Sequence, residues 1–328
     1  MADRADRIAA FLDAAGWGSA ARRPLAGDAS ERRYLRLARA PGETAVLMDA
    51  PPDRCGETPA FVAIARHLLG LGLSAPRLLA EDAPEGLLLL EDLGDGIFAR
   101  LIAEDPAREP VLCAAAAETL AALQAAPPPA GLTPFTPAHM AGLVRIAFDW
   151  YAPATPAAEA DAIVARLEDL LDTLAPRPTV LALRDVHAEN LLWLPDRAGP
   201  ARTGLLDFQD AVLAHPAYDL VSLLDDARRD VGAPAREAAT RRFLDLTGHG
   251  AEPFAAAAAA LSLQRNLRIL GVFARLARRD GKTGYLRHLP RVRGHIRHAL
   301  DHPALAGLTG PLLPLLAVEA PCATPVPL

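Results

Sequence analysis

Three oxygen-bearing side chains follow short apolar runs near the middle of the sequence. Asp185 closely follows the apolar run 181–183, and Asn190 lies five residues further on. Asp207 comes directly after the apolar run 204–206. Apolar runs of this length are typical of buried strands, so each strand end would carry a polar side chain into a cleft. Carboxylate and amide oxygens are ligands that Mg²⁺ accepts together with substrate phosphates. The pattern predicts that Asn190 and Asp207 hold Mg²⁺, which leaves Asp185 to accept a hydrogen bond from an attacking hydroxyl.

The spacing of these residues matches a template for phosphoryl transfer. An Arg-Asp pair, four intervening residues and an Asn are followed downstream by Asp-Phe. Kinases carry their catalytic and metal-binding residues in this order. A single Asp at the end of a strand is more often a turn or helix cap. The combined motif, in a chain whose strands precede most of its helices, favours a kinase that uses ATP and Mg²⁺.

Periodicity divides the chain into a strand-rich beginning and a helical remainder. Residues 1–93 predict a small lobe with an antiparallel sheet, and residues 94–302 predict a larger helical lobe. Together they predict an α+β, protein-kinase-like fold with a cleft between the lobes, where ligands usually bind. The Pro- and Leu-rich tail 303–328 is expected to pack loosely or to be disordered. The predicted strands are 20–25, 33–37, 44–48, 78–79, 87–90, 180–183 and 204–206, and the predicted helices are 8–15, 61–71, 111–125, 161–174, 220–228, 236–246, 254–279 and 289–300.

Composition narrows the class of protein. The chain has 328 residues and a net charge of −6, which argues against a nucleic-acid-binding protein. Its 3 cysteines form no CxxC pair and predict neither disulfides nor a cysteine zinc site. The N-terminus lacks a signal-peptide pattern, and the apolar run 254–263 is about half the ~20 residues of a membrane span. We therefore expect a soluble cytoplasmic protein without a membrane segment.

Further segments carry a resemblance to a known family. With the motifs at Asp185 and Asp207, they resemble the aminoglycoside phosphotransferase and choline kinase-like superfamily over residues 20–300. Within that superfamily, the chain is similar to the anomeric N-acetylmuramate/N-acetylglucosamine kinases of bacterial cell-wall recycling. The segments are 27–34, 48–52, 88–95, 207–212, 218–224 and 273–282.

The resemblance implies an enzyme that transfers the γ-phosphoryl group of ATP to the C1 hydroxyl of a free amino sugar, with no obligate protein partner. It implies direct in-line transfer, in which Asp185 orients the hydroxyl and takes its proton. Asp219 corresponds to a superfamily aspartate that braces the catalytic loop. Leu183 stands where the family usually has a histidine, so His187 is the expected local brace. The alternative for His187 is an exposed histidine on a surface loop.

The nucleotide is expected to bind through the first lobe. Leu90, Glu91 and Asp92 belong to the expected hinge strand, whose main chain would contact the adenine edge. Glu91 and Asp92 either contact the ribose or cap the element that follows. Kinases usually hold the ATP phosphates with a lysine of the third strand, but the one lysine here is Lys282. Mg²⁺, Arg33 and a set of backbone N–H groups are expected to replace it, although Arg33 is equally consistent with a solvated side chain. Those backbone groups belong to Gly27, Asp28, Ala29 and Ser30.

Contacts with the acceptor are expected from the helical lobe. Arg265, Arg268 and Arg275 lie within an arc of about 80° on the predicted long helix, opposite its apolar residues. Such a stripe is usually a solvated face. The alternative is that it faces the lactyl carboxylate of N-acetylmuramate. Lys282 is a second candidate for that role, and Asp210 either reaches substrate or metal or caps a turn.

Two other functions stay open on the sequence alone. The same fold could act on an aminoglycoside, choline or homoserine, although a cationic acceptor would require an acidic pocket. The second open function is that of a nucleotide-binding pseudokinase, which would serve as an interaction module. Leu183 and the missing strand lysine favour the pseudokinase, whereas Asp185, Asn190 and Asp207 count against it.

Overall fold

The computed structural model describes residues 3–25, 32–55 and 58–318. Strands dominate its first part and helices the remainder, which confirms the expected α+β class. The strands are β1 (Ala21–Pro24), β2 (Arg33–Ala40), β3 (Glu43–Asp49), β4 (Leu78–Asp82), β5 (Leu87–Glu91), β6 (Val180–Ala182), β7 (Leu191–Trp193), β8 (Thr203–Leu205) and β9 (Val212–Ala214). The helices are α1 (Arg4–Ala14), α2 (Pro52–Cys55), α3 (Pro59–Gly70), α4 (Phe98–Glu104), α5 (Glu109–Gln124), α6 (Pro137–Leu143), α7 (Ala157–Leu174), α8 (Tyr218–Leu224), α9 (Ala233–Thr247), α10 (Ala251–Arg278), α11 (Leu289–Leu300) and α12 (Ala306–Ala317).

The chain separates into two compact units. The first comprises Met1–Leu101 together with Glu189–Asp210, and the second comprises Ile102–Ala188 together with Ala211–Leu328. The first unit is therefore built from two separate stretches of chain. Its second stretch contains the two side chains predicted to hold Mg²⁺.

The sheet of the first unit has the strand order β1-β2-β3-β5-β4, with every neighbouring pair antiparallel. Leu37 of β2, Leu47 of β3 and Leu89 of β5 are buried in one core together with Leu12 and Trp17. Leu47 stands directly opposite Leu89. Since successive side chains of a strand point to opposite faces, these strand leucines share one face, while Met48, Leu88 and Leu90 are buried on the other.

Helix α10 lies at the centre of the second unit and packs against α7, α8 and α11. Its leucines Leu263, Leu267 and Leu270 are fully buried. A π-helical turn, Ala147–Tyr151, packs against the same helix. The short strands β6 and β9 pair antiparallel. Strand β6 ends just before Asp185, and so the interior of this unit positions the loop that carries it.

The expectation of a loosely packed tail is wrong for the described part of that tail. A 3₁₀ turn, Pro303–Leu305, leads into α12. Leu308, Leu312 and Leu316 recur along α12 at intervals of four residues and are buried. Because this spacing places them on one face, the helix packs like any amphipathic helix. Residues 319–328 lie outside the described residues.

Helix α10 is 28 residues long, which exceeds the ~20 residues that a bilayer crossing requires. Its second half, however, carries the arginines Arg265, Arg268, Arg275 and Arg278. In the part of the chain that the structure describes, no helix is both long enough and apolar enough to cross a membrane.

Candidate active site

A β-hairpin of the first unit brings Asn190 and Asp207 together. Strands β7 and β8 pair with Leu191 opposite Leu205, and the backbone N–H of Leu206 donates to the Asn190 carbonyl at 3.0 Å. Asn190 and Asp207 therefore flank the open end of the hairpin. The Nδ2 atom of Asn190 donates to Oδ2 of Asp207 at 3.4 Å. The side-chain amide of Asn190 and the carboxylate of Asp207 therefore contact each other at the open end of the hairpin.

Several contacts fix the conformation of Asp207. Its backbone lies in the left-handed region, with φ of 57°, which residues other than glycine rarely adopt. Nε2 of Gln209 donates to its Oδ1 atom at 2.8 Å. The ring of Phe208 stacks on Phe61 of α3, with centroids 4.8 Å apart. Burial, followed by the negative charge of Asp207, raises the pKa of Tyr34 to about 12, so this neighbouring phenol stays protonated at neutral pH.

Two loops of the first unit hold the hairpin in place. The backbone N–H of Leu205 donates to the carbonyl of Ser74 at 2.7 Å, and that of Trp193 donates to the carbonyl of Gly96 at 2.7 Å. A Cβ at Gly96 would lie 2.5 Å from the Trp193 carbonyl oxygen, so this approach requires glycine. Arg197 Nη1 donates to Ser74 Oγ at 2.7 Å. Both edges of the hairpin are therefore fixed, and with them the two candidate metal ligands.

The loop that carries Asp185 is held by a buried carboxylate of the second unit. Asp219, fully buried on α8, accepts hydrogen bonds from the backbone N–H of Leu183 at 2.6 Å and of Arg184 at 2.9 Å. Arg184 has a left-handed φ of 73°, and its carbonyl accepts from Ser222 Oγ at 2.9 Å. A left-handed residue with a side chain costs roughly 1–2 kcal/mol, which these hydrogen bonds oppose. They set the direction of the chain as it enters Asp185.

Burial governs the titration of Asp219 and His187. It raises the pKa of Asp219 to about 6, although the two backbone hydrogen bonds lower it. His187 is only 4% exposed, and its Nε2 atom lies 3.1 Å from Nη1 of Arg228. Burial, followed by the positive charge of Arg228, lowers the pKa of His187 to about 4. At neutral pH Asp219 is ionised and His187 is neutral. The alternative of an exposed loop histidine is wrong.

The predicted nucleotide residues fall into different surroundings. Residues 27–30, expected to offer backbone N–H groups to phosphate, lie outside the described residues. Arg33 is exposed at the start of β2. Leu90 is buried in β5, where it stands opposite Val46 on one side and Leu78 on the other. Arg33 is thus accessible to a ligand, whereas the Leu90 side chain belongs to the interior of the sheet.

The two acidic residues of the expected hinge both have partners in the first unit. Oε1 of Glu91 accepts from Nη2 of Arg197 at 2.9 Å. Oδ1 of Asp92 accepts from the backbone N–H of Gly94 at 3.0 Å, and its Oδ2 lies 2.8 Å from Nε of Arg36. Asp92 therefore caps the turn after β5, one of its two expected roles. Glu91 holds Arg197, the residue that donates to the loop supporting the hairpin.

Two side chains of β2 that are not among the predicted site residues also take part in this region. Arg36 pairs with Asp92 and also with Asp95, at 2.7 Å, and its hydrogen bond lowers the pKa of Asp95. Tyr34 lies near Asp207, as its raised pKa shows. Residues 34 and 36 share one face of the strand because side chains alternate. The partners of these two side chains are distant in the sequence, so they are seen only in the folded structure.

The residues expected to contact the acceptor differ in exposure. Arg265 is buried, with 5% of its surface exposed, so a solvated face is wrong for this residue. Arg268 and Arg275 are half-buried. Lys282 and Asp210 are exposed. Of the five candidates, Arg265 therefore lies deepest in the protein, in the unit that also contains Asp185.

The donor atoms at the end of the hairpin fit Mg²⁺. Asp207 offers a carboxylate and Asn190 an amide oxygen, both hard ligands of the kind this ion prefers. Among the described residues, no group of three or more His, Cys, Asp or Glu side chains could hold a metal ion. Mg²⁺ commonly binds one or two carboxylates together with waters and phosphate oxygens, so this pair suits an ion that is also bound by phosphate.

The chain is similar in sequence to kinases from several bacteria. It is 41% identical to the N-acetylmuramate/N-acetylglucosamine kinase of Caulobacter vibrioides, over 92% of this chain and 93% of that protein. The kinase of the same name from Pseudomonas aeruginosa is 32% identical, over 90% of this chain and 89% of that protein. These matches cover nearly the whole of both partners.

Two solved structures share the fold of this chain. A choline/ethanolamine kinase family protein from Mesorhizobium loti matches with a TM-score of 0.65 at 16% identity, covering 97% of this chain and 100% of that one. Choline kinase LicA from Streptococcus pneumoniae matches with a TM-score of 0.62 at 14% identity, covering 93% and 100%. These likenesses show the fold. The sequence profile of the phosphotransferase enzyme family matches residues 21–259, more than half of the chain. The chain therefore belongs to the phosphotransferase enzyme family.

Proposed function

We propose that this phosphotransferase is an ATP-dependent kinase for the anomeric C1 hydroxyl of N-acetylmuramate and N-acetylglucosamine in peptidoglycan recycling. The proposal is supported by the sequence similarity of the chain to kinases of that name, with 41% and 32% identity along nearly its whole length. The phosphoryl donor is ATP with Mg²⁺, and the acceptor is a free amino sugar. Both are cytoplasmic metabolites, so the enzyme would act in the cytoplasm.

Asn190 and Asp207 would hold Mg²⁺ through their amide and carboxylate oxygens. When bound, the metal supplies positive charge that offsets the charge on the phosphate oxygens. Gln209 and the stacked ring of Phe208 keep the Asp207 carboxylate in one orientation. A fixed orientation is important because phosphoryl transfer depends mainly on positioning and charge neutralisation.

Asp185 would orient the anomeric hydroxyl and accept its proton. An anomeric hydroxyl is more acidic than an ordinary alcohol, so the proton acceptor need not be a strong base. In a loose transition state the proton leaves late, and orientation contributes more than basicity. Asp219 supports this role through the backbone N–H groups of Leu183 and Arg184, without itself contacting the sugar.

The nucleotide would be held without a strand lysine. Met48 occupies the third strand, where it is buried opposite Tyr34 and Leu88. We assign the phosphate contacts to Arg33 and to the backbone N–H groups of Gly27, Asp28, Ala29 and Ser30. The main chain of Leu90, Glu91 and Asp92 would contact the adenine edge. Lys282 and Asp210, both exposed, are further candidates for contact with the acceptor.

The proposal is tested by giving the purified protein Mg²⁺ and ATP with each sugar and identifying the phosphorylated position by phosphorus NMR. We expect the 1-phosphate of both sugars. Asp185→Asn is expected to lower kcat by about a thousandfold, within the range of general base catalysis, while the melting temperature stays close to that of the parent protein.

Choline, homoserine and an aminoglycoside serve as competing acceptors in the same experiment. Phosphorylation of one of them in place of the sugars would assign the enzyme a different substrate. Binding of ATP without turnover of any acceptor would indicate a pseudokinase. Either result would overturn the proposed function.

A further inference from the structure

Arg265 of α10 is a buried cation that forms no ion pair or hydrogen bond among the described residues, although its charge acts on the buried carboxylate of Asp219. Only 5% of its surface is exposed, and its Nε atom has no hydrogen-bond partner. Among the described residues, no carboxylate lies within ion-pair distance of its guanidinium. A guanidinium group cannot escape the cost of burial by losing its proton, because it stays charged in proteins. Burying a guanidinium whose donors lack partners is costly, and a bound anion that accepts from them would reduce that cost.

Arg268 lies three residues further along α10, on the same side of the helix, and is half-buried. It too lacks an ion pair or hydrogen bond within the described part of the chain. Burial lowers the pKa of its guanidinium, the charges of Arg184 and Arg265 lower it further, and Asp185 raises it. The two arginines of α10 thus lie within electrostatic range of each other and of the loop that carries Asp185.

Hydrogen bonds fix this turn of α10 relative to the Asp185 loop. Asp219 of α8 holds the backbone immediately before Asp185. Asp225, at the C-terminal end of α8, accepts hydrogen bonds from Ser262 and from Asn266 of α10. Arg265 lies on the turn between Ser262 and Asn266. The arginines therefore keep a set position relative to the proposed proton acceptor.

We propose that Arg265 and Arg268 bind the lactyl carboxylate of N-acetylmuramate and make this sugar acid the preferred acceptor over neutral N-acetylglucosamine. The inference rests on the proposed function. The planar guanidinium fork binds a carboxylate or a phosphate through paired hydrogen bonds, so either anion has suitable chemistry. The carboxylate is favoured because both arginines share a unit with Asp185, whereas the residues assigned to Mg²⁺ and the nucleotide belong to the other unit.

Three basic residues at or beyond the C-terminal end of α10 are less suited to this role. Arg279 is exposed and pairs with Asp280 at 2.7 Å. Arg278 Nη1 donates to the carbonyl of Trp150 at 2.9 Å. Lys282 is exposed. A cation in water contributes little to the binding of a single carboxylate, because solvent screens it.

The test compares three acceptors: N-acetylmuramate, its uncharged methyl ester and N-acetylglucosamine. In the parent protein we expect kcat/KM for the acid to exceed that for the ester at least tenfold, the size of a charge-assisted hydrogen bond. In Arg268→Gln the acid and the ester should differ by no more than about twofold, because the variant has lost one of the two cations. Arg265→Lys keeps the charge but loses the fork, and should give an intermediate ratio.

Arg279→Gln is the matched control, since it removes an arginine from the exposed end of the same helix, and we expect the parent ratio of acid to ester. Melting temperatures identify any variant that fails to fold. The acid-to-ester comparison in the parent protein needs no variant and stands in that case.

Three results would overturn the inference. Equal kcat/KM for acid and ester in the parent protein would show that the carboxylate is not bound. A raised KM for ATP in Arg268→Gln, with an equal loss of turnover for both sugars, would show that the arginines contact nucleotide phosphate. Turnover of neither sugar would overturn the proposed function, and this inference with it, whereas the first two results leave the proposed function intact.

Discussion

A Cβ atom on Gly271 would lie 2.3 Å from the carbonyl carbon of Ile146. Gly271 lies within α10, where the π-helical turn Ala147–Tyr151 packs against that helix. The absence of a side chain is what allows the two backbones to approach so closely. We expect Gly271→Ala to lower the free energy of unfolding by about 2 kcal/mol or more, because backbone must move to make room.

Urea denaturation measures this effect, and Gly294→Ala is its control. Gly294 is exposed on α11, with nothing within 4 Å of the position a Cβ would take. Alanine there should raise the free energy of unfolding by roughly 0.5–1 kcal/mol through helix propensity. Equal stabilities of the two variants would contradict the close packing at Gly271.

Asp219→Asn is expected to lower kcat about tenfold, because one of its two carboxylate oxygens no longer accepts a backbone hydrogen bond. Since burial raises the pKa of Asp219 to about 6, its protonation should likewise slow the parent enzyme as the pH falls through about 6. Initial rates between about pH 5 and about pH 8, from roughly one unit below this pKa to two units above it, measure both effects. A variant that retains the acidic inflection of the parent would show that another group causes it.

Asp207→Asn is expected to raise the Mg²⁺ concentration for half-maximal turnover at least tenfold and to lower kcat about a hundredfold. The reason is that an amide replaces the one carboxylate of the proposed metal site. Rates measured in a titration with Mg²⁺ give both numbers. Asp196→Asn, an exposed carboxylate near the other end of the same hairpin, should behave like the parent protein. An unchanged requirement for Mg²⁺ in Asp207→Asn would refute the assignment of the metal ligand.

His215 is expected to make the folded state sensitive to acid. Its Nδ1 atom accepts a hydrogen bond from the backbone N–H of Ala217 at 3.1 Å. Burial, followed by the charge of His249, lowers its pKa to about 4. In the unfolded chain the pKa is about 6.5, so between these values unfolding takes up a proton and stability falls as the pH falls. By about pH 4.5 the loss should reach roughly 2 kcal/mol.

His215→Asn isolates this contribution, because an asparagine oxygen can accept the same hydrogen bond without titrating. Unfolding free energies of the two proteins are compared from pH 7 to 4.5, the range that spans most of the expected proton uptake. The parent should lose about 2 kcal/mol more than the variant over this range. Parallel curves would show that His215 does not titrate as its burial implies.

Local periodicity was sufficient to predict most elements. The long helix predicted at 254–279 is α10, Ala251–Arg278, and the helix predicted at 289–300 is α11. The regular repetition of apolar residues allows such helices to be recognised without knowledge of what packs against them. The short strands β7 and β9 lie outside the predicted list, because runs of three residues have too little pattern to separate a strand from a turn.

Side-chain environments were harder to predict than elements. A helical wheel assigns Arg265 to a polar face, and polar faces are usually solvated. Here α10 is packed by helices on several sides, so a polar residue of that face is buried. The pairing of Arg36 with Asp92 joins positions far apart in the sequence, and only the sheet brings them together. The spacing of the motifs indicates which residues are candidates for catalysis or metal binding. It does not indicate which residues, distant in the sequence, fix their positions.

The β7–β8 hairpin has a consequence for synthesis of the protein on the ribosome. Its backbone N–H groups are the hydrogen-bond partners of the Ser74 and Gly96 carbonyls, yet they emerge only after the whole of the second unit's first stretch, Ile102–Ala188. In a nascent chain that ends near residue 101, those carbonyls could form hydrogen bonds with water but not with the hairpin. The first unit therefore completes its folding only once the chain up to residue 210 has left the exit tunnel.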